Sequence, residues 1–225
     1  MSKFLAYIYI VICSFLFITS HLKAQVNDAG IWTGIEIEKK ITQAFSIKYI
    51  QETRFNENIT EAGSLINELG ADYRFDKKSR ISFVYRVNYQ RQLNNMYIPV
   101  NRFYFDYSYR NKLSIFEINF RLRAQMQSKN SFVYDSDGNT KSAIRPKISL
   151  KYPLKKLQPY LSAEVYLPIF YNEYKPLDKL RFAIGTEYSF NKQNSIDLRY
   201  MIQKEFYTNN PVTDFVFSLS YNFKF

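Results

Sequence analysis

Residues Thr213 to Phe225 read TDFVFSLSYNFKF and alternate apolar with polar positions up to a terminal aromatic. Phe215, Phe217, Leu219, Tyr221, Phe223 and Phe225 share one face, while Asp214, Ser218, Ser220, Asn222 and Lys224 share the other. A strand has period two, so this segment offers one face to an apolar medium and the other to water or polar neighbours. Almost every other strand candidate repeats the pattern with aromatics, and nothing helical remains to cover them. A ring of strands closed in lipid satisfies the backbone and uses both faces. The pattern therefore predicts an all-β chain folded as a single antiparallel transmembrane up-and-down β-barrel. Its last strand, ending on an aromatic, resembles the terminal signature that outer-membrane barrel assembly machinery recognises.

Composition agrees. The 225 residues include 20 Tyr and 20 Phe but one Trp and six Gly, which suits one domain of many strands. Mean hydropathy is negative, which argues against a helical membrane protein but not against a barrel, whose strands turn only half their residues to lipid. Lys3, the apolar run Phe4 to Ile18, Ser20 and then Ala24 before Gln25 read as a secretory signal peptide over residues 1–24, leaving a barrel over 25–225. The rival reading of that run is an anchoring helix. Cys13 lies inside it and follows Ile12 where a lipidation site needs a small residue. The mature chain then has no cysteine, hence no disulfide and no thiolate site.

The formal charge is +11; removing Lys3 and Lys23 leaves 29 basic against 20 acidic residues, or +9. Bases interleave with acids rather than forming a stripe, so the expected partners are outer-membrane lipid and lipopolysaccharide, with no nucleic acid.

Eleven strands are predicted: 30–38, 44–54, 64–75, 80–91, 102–110, 113–127, 144–152, 158–167, 181–190, 195–206 and 213–225. Short polar turns alternate with longer loops, the longest (128–142) carrying the turn signal Asp135-Ser136-Asp137-Gly138. In outer-membrane barrels the short turns are periplasmic. Eleven conflicts with the even strand numbers of single-chain bacterial barrels. With all short turns on one side, the first strand would also lie parallel to the last. Either Gly30 to Glu38 stays outside the ring or a twelfth strand hides in Gln25 to Gly30 or a long loop. The expected range is ten to twelve strands, leaning to ten or twelve.

Phase assigns aromatic and aliphatic residues to the outside and charges to the inside. Glu36, Glu52, Glu68, Asp72, Asp106, Glu117, Glu164 and Glu187 enter the lumen. Against them stand Arg54, Arg86, Arg102, Arg121, Arg123, Arg181 and Arg199, with Lys48, Arg145 and Lys147 in the same phase. In a narrow barrel long side chains from opposite walls meet, and Arg pairs with carboxylates bidentately. One reading is a lumen filled by ion pairs, structural or weakly permeable. The other is a narrow porin-like channel or binding barrel for a small anionic solute. Trp32 shares the inward phase with Gly34 and Glu36; a girdle position near an interface is favoured over a ligand-stacking platform.

Enzymatic readings lack parts. The only histidine, His21, falls in the signal peptide, so no His-based hydrolase can be assembled. No nucleotide-binding or zinc spacing occurs, and neither cofactor nor metal is expected.

The order of short motifs is also familiar. Trp32-Thr33-Gly34 through Glu38-Lys39-Lys40, Glu52 to Asn58, Glu68 to Tyr73 and Tyr85-Arg86 resemble a bacterial domain-of-unknown-function family, number 2490. Asn101-Arg102-Phe103 with Asp106, Phe120 to Arg123, Pro159-Tyr160 with Ala163-Glu164, and Arg181 with Gly185 to Tyr188 extend the match over nearly the whole mature chain. That resemblance implies an exported outer-membrane barrel of a Gram-negative cell and supplies no catalytic residue.

Overall fold

The computed structural model describes residues 26–129, 140–169 and 175–225. The expected signal peptide, Cys13, His21 and the Asp135 to Gly138 turn lie outside the described residues. All eleven strands form, at or near their expected positions: β1 (Val26–Lys40), β2 (Phe45–Asn56), β3 (Glu61–Arg74), β4 (Ser79–Arg91), β5 (Tyr97–Leu113), β6 (Phe116–Lys129), β7 (Thr140–Lys151), β8 (Leu157–Ile169), β9 (Lys179–Ser189), β10 (Asn194–Glu205) and β11 (Val212–Lys224). Each pairs with its sequence neighbours antiparallel, and the ring closes through β1 and β11.

The ring has eleven strands, within the expected ten to twelve though not the even number favoured, because β1 completes it and Val26 to Gly30 merely prolongs that strand. The barrel is also not strictly antiparallel. β1 runs parallel to β11 in unbroken register from Val26↔Val212 to Glu38↔Lys224. An odd number of strands joined only by hairpins forces this: strands one and eleven point the same way, so closing the ring makes that seam parallel. The seam continues past the last strand, for the Phe225 N–H donates to the Glu38 carbonyl at 3.0 Å and the Lys40 N–H to the Phe225 carbonyl at 2.9 Å.

Turns and loops segregate as expected. The short connections β1–β2, β3–β4, β5–β6, β7–β8 and β9–β10 share one end with the C-terminus. Asp76 closes the β3–β4 turn by accepting from the Lys78 and Ser79 N–H groups, both at 2.6 Å. Those donors hold its carboxyl below the usual carboxylate range. At the other end the β2–β3 loop places Glu57, Asn58 and Ile59 in left-handed backbone, and Asp28 caps it by accepting from Asn58 N–H at 2.7 Å.

The outer wall follows the predicted faces. Phe83, Phe105, Leu69, Phe182, Ile184, Phe217 and Leu219 all stand exposed, on strands right around the ring. Inward positions are the buried ones, such as Glu68, Asp72, Asp106 and Glu164. One contact across the inner wall depends on a missing side chain. Gly185 pairs with Tyr160, and a Cβ there would lie 2.6 Å from the tyrosine ring and 2.8 Å from the Leu198 carbonyl oxygen. Gly185→Ala should therefore destabilise the barrel by ~1–3 kcal/mol. Adding Tyr160→Ala should return part of that loss. Urea unfolding of the refolded protein in detergent, followed through its single tryptophan, measures both.

Candidate functional site: the lumen

A ring of eleven strands tilted by about 40° at about 4.8 Å spacing has a backbone diameter of roughly 22 Å. Layers of Val and Leu alone do not fill such a width. Long side chains do, and the inward phase of this sequence supplies Arg, Tyr and Trp.

Glu164 on β8 is the hub of the larger network. Arg145 donates to it from Nε at 3.0 Å, Arg121 is hydrogen-bonded to it, and Arg181 Nη1 lies 3.5 Å away. Arg145 also donates to Gln125 at 2.8 Å and to the Tyr166 hydroxyl at 2.7 Å. The strands place these groups by register: Arg121↔Lys147, Lys147↔Glu164 and Glu164↔Arg181 form one rung across β6 to β9. A second network joins β3 to β6. Arg123 forks onto Asp106 at 2.7 and 2.8 Å and stacks on Tyr104 at 3.6 Å. The Tyr104 hydroxyl donates to Glu68 at 2.5 Å, and Arg86 completes the set by pairing with Glu68.

Between the Glu164 network and the seam lies an apolar plug, in which Ala183, Met201 and Val216 are buried together with Trp32 packed on them; separately, Ile66 on β3 and Val84 on β4 are wholly buried. Trp32 is thus a lumenal residue, not a girdle residue. Arg54 stacks on it at 3.6 Å from β2 and Arg181 approaches at 5.3 Å from β9, so its indole links opposite walls. The inward placement was readable from its phase. The apolar plug was not, because the expected division put every aliphatic outside; Met201 between Arg199 and Gln203 was the available signal.

The remaining expected lumen residues also point inward. Arg54 pairs with Glu52 at 2.6 Å, Lys48 with Asp72 at 3.1 Å and Lys151 with Glu187 at 3.1 Å. Arg199 lies 3.6 Å from Asp197 and Arg110 3.4 Å from Glu117. Arg102 is an exception, since its acceptor among the described residues is the neutral Gln127. Glu36 forms no ion pair among the described residues and lines a cup.

That cup occupies the short-turn end of the lumen and has a volume of about 710 Å³. The bases lining it are Arg110, Lys112, Lys147, Lys151, Lys192, Arg199 and Lys224; the acids are Glu36, Glu117, Glu187 and Asp197. Among the described residues no cluster of three His, Cys, Asp or Glu could hold a metal ion.

The fold and its lumen define a closed mixed β-barrel with buried ion-pair networks and a basic cup. The model of the family described as "Protein of unknown function (DUF2490)" matches residues 29–214, and the chain belongs to that family. No curated protein matches it. Among solved structures it is similar to the beta domain of the Bordetella autotransporter Brka, at 10% identity and a TM-score of 0.50, over 78% of this chain and 82% of that one. At that identity the likeness concerns the fold alone.

Removing the hub leaves three guanidinium groups without their shared carboxylate, and breaking a buried ionic cluster from one side costs ~3–5 kcal/mol. Glu164→Ala should lose that much stability in urea unfolding. Arg181→Gln should lose markedly less, because Glu164 keeps Arg121 and Arg145 and Arg181 is the most distant of its three partners, at 3.5 Å.

Proposed function

We propose that this protein is a small outer-membrane barrel, structural or weakly permeable, whose lumen is closed at the waist. Its outward apolar surface supports the membrane reading. Phe83, Leu69, Phe182 and Ile184 are each more than half exposed, a band too extensive for a water-soluble monomer. The described strands run from 11 to 17 residues, enough to cross a bilayer when tilted. On this reading residues 1–24 direct export, lipid and lipopolysaccharide surround the wall, and the C-terminal strand ending on Phe225 is presented to the barrel assembly machinery. The C-terminus and the cup then face the periplasm.

The single observation that carries the closed waist is burial within the lumen: Ile66, Val84 and Ser218 have no exposed surface and Met201 retains 1%. No catalytic role is assigned, since Glu164, the lumenal carboxylate with most partners, is held by three arginines. The second reading, a narrow channel for small anions, is favoured by the excess of bases over acids in the cup.

Planar-bilayer recording of the refolded protein distinguishes them. The closed waist predicts a silent barrel that still shows heat-dependent gel mobility. Discrete anion-preferring steps would overturn it in favour of the channel, and Arg121→Ala with Arg123→Ala should then change the selectivity. Recovery from the soluble periplasmic fraction would overturn both.

A further inference from the structure

We propose that the cup at the short-turn end is a binding site for a small, soluble, phosphate-bearing anion. The inference rests on the membrane reading above only for the compartment the cup faces. Its volume, about 710 Å³, lies within the usual range for small-molecule sites. The lining is polar and basic, which selects a hydrophilic anion.

The acids of the cup are largely committed to their own neighbours. Glu187 is taken by Lys151 at 3.1 Å and by the Ser195 hydroxyl at 3.1 Å. Asp197 accepts from the Tyr160 hydroxyl at 2.8 Å. Two bases toward the floor are left under-used. Lys147 is partly buried and makes no hydrogen bond or ion pair among the described residues; Glu164, opposite it in register, is engaged by three arginines. The buried Arg199 Nε makes no hydrogen bond among the described residues; its one ionic neighbour is Asp197, 3.6 Å away and already bonded to Tyr160, and its Nη2 reaches the Ser218 hydroxyl at 3.4 Å. A partly desolvated ammonium or guanidinium with too few hydrogen-bond acceptors is costly, and an oxyanion entering the cup supplies more.

Phosphate fits this arrangement better than a single carboxylate. It carries nearly two charges and three terminal oxygens, enough to engage Lys147 and Arg199 together while a further oxygen meets the rim bases. Glu36, which forms no ion pair among the described residues, lines the same cup; it opposes the ligand and limits its affinity.

The phosphate could be carried by a soluble compound or by a lipid headgroup. The cup opens inside the ring, away from the lipid-facing wall, so the soluble source is the one proposed. Calorimetric titration of the refolded barrel at physiological ionic strength tests it, with pyrophosphate as the soluble probe and dihexanoyl phosphatidic acid as the lipid probe. Saturable single-site binding of pyrophosphate is expected. Lys147→Gln and Arg199→Gln should each weaken it by roughly tenfold, the loss typical of one charged contact. Glu36→Gln should tighten it. Lys77→Gln, in a turn at the same end but outside the cup, should change nothing. Heat-dependent gel mobility checks that each variant folds, and Glu36→Gln keeps the test decisive if a floor variant does not. No saturable heat with pyrophosphate, equal losses in Lys77→Gln, or binding of the lipid probe alone would overturn the proposal. Conductance plays no part in these readouts, so a channel that proved open would leave this result standing or falling by itself.

Discussion

Closure of the backbone is the constraint on which the rest depends. A sheet whose outer face is apolar cannot leave an edge strand with unpaired N–H and C=O groups in a medium that offers no hydrogen bonds. Eleven strands linked by hairpins have one way to meet that demand, which is to pair the first and last in parallel. Parallel ladders are slightly weaker per residue than antiparallel ones. Length offsets this, since the seam runs from Val26 to Glu38 on β1 and is extended by the terminal Phe225. The chain end is therefore part of the closure.

Closing eleven strands sets a lumen wider than small aliphatic side chains fill. Arginine meets the need because its planar fork binds carboxylates and stacks on aromatic faces at once. Arg123 does both, with Asp106 and Tyr104, and Arg145 does so with Glu164 and Tyr166. Each buried charge carries a desolvation cost that only a nearly complete set of partners repays. Arg123 and Arg145 have such sets, while Arg86, Arg102 and Arg121 each keep a buried Nε without a hydrogen bond among the described residues; in the cup the bases outnumber the acids.

Much of this was legible in the sequence. Period two with aromatics on one face located all eleven strands, and the alternation of short and long connections placed Phe225 with the short turns. The phase of Glu52, Glu68, Asp106, Arg123 and Glu164 placed them inside. The parallel orientation of the first and last strands also followed from the hairpin pattern, yet the usual evenness of bacterial barrels weighed against accepting it. Sequence phase does not tell which inward residues meet. Trp32 meeting Arg181, and Tyr104 reaching past β4 to Glu68, depend on barrel width and shear, which only the closed ring sets. Apolar inward residues such as Val84 and Met201 were masked by a simple outside-apolar rule that holds for a water-filled lumen and fails for a packed one.

The seam offers the most direct test of the eleven-strand closure. Thr33 on β1 and Leu219 on β11 are register partners on the outer face, and neighbouring strands at about 4.8 Å bring paired residues within disulfide reach. The double variant Thr33→Cys with Leu219→Cys, made in the chain without residues 1–24 and therefore free of other cysteines, is oxidised after refolding and run on a non-reducing gel. A mobility shift reversed by reductant is the predicted result. Absence of that cross-link, while Thr33→Cys with Thr53→Cys across the β1–β2 hairpin forms one readily, would contradict the parallel seam and the odd-numbered ring.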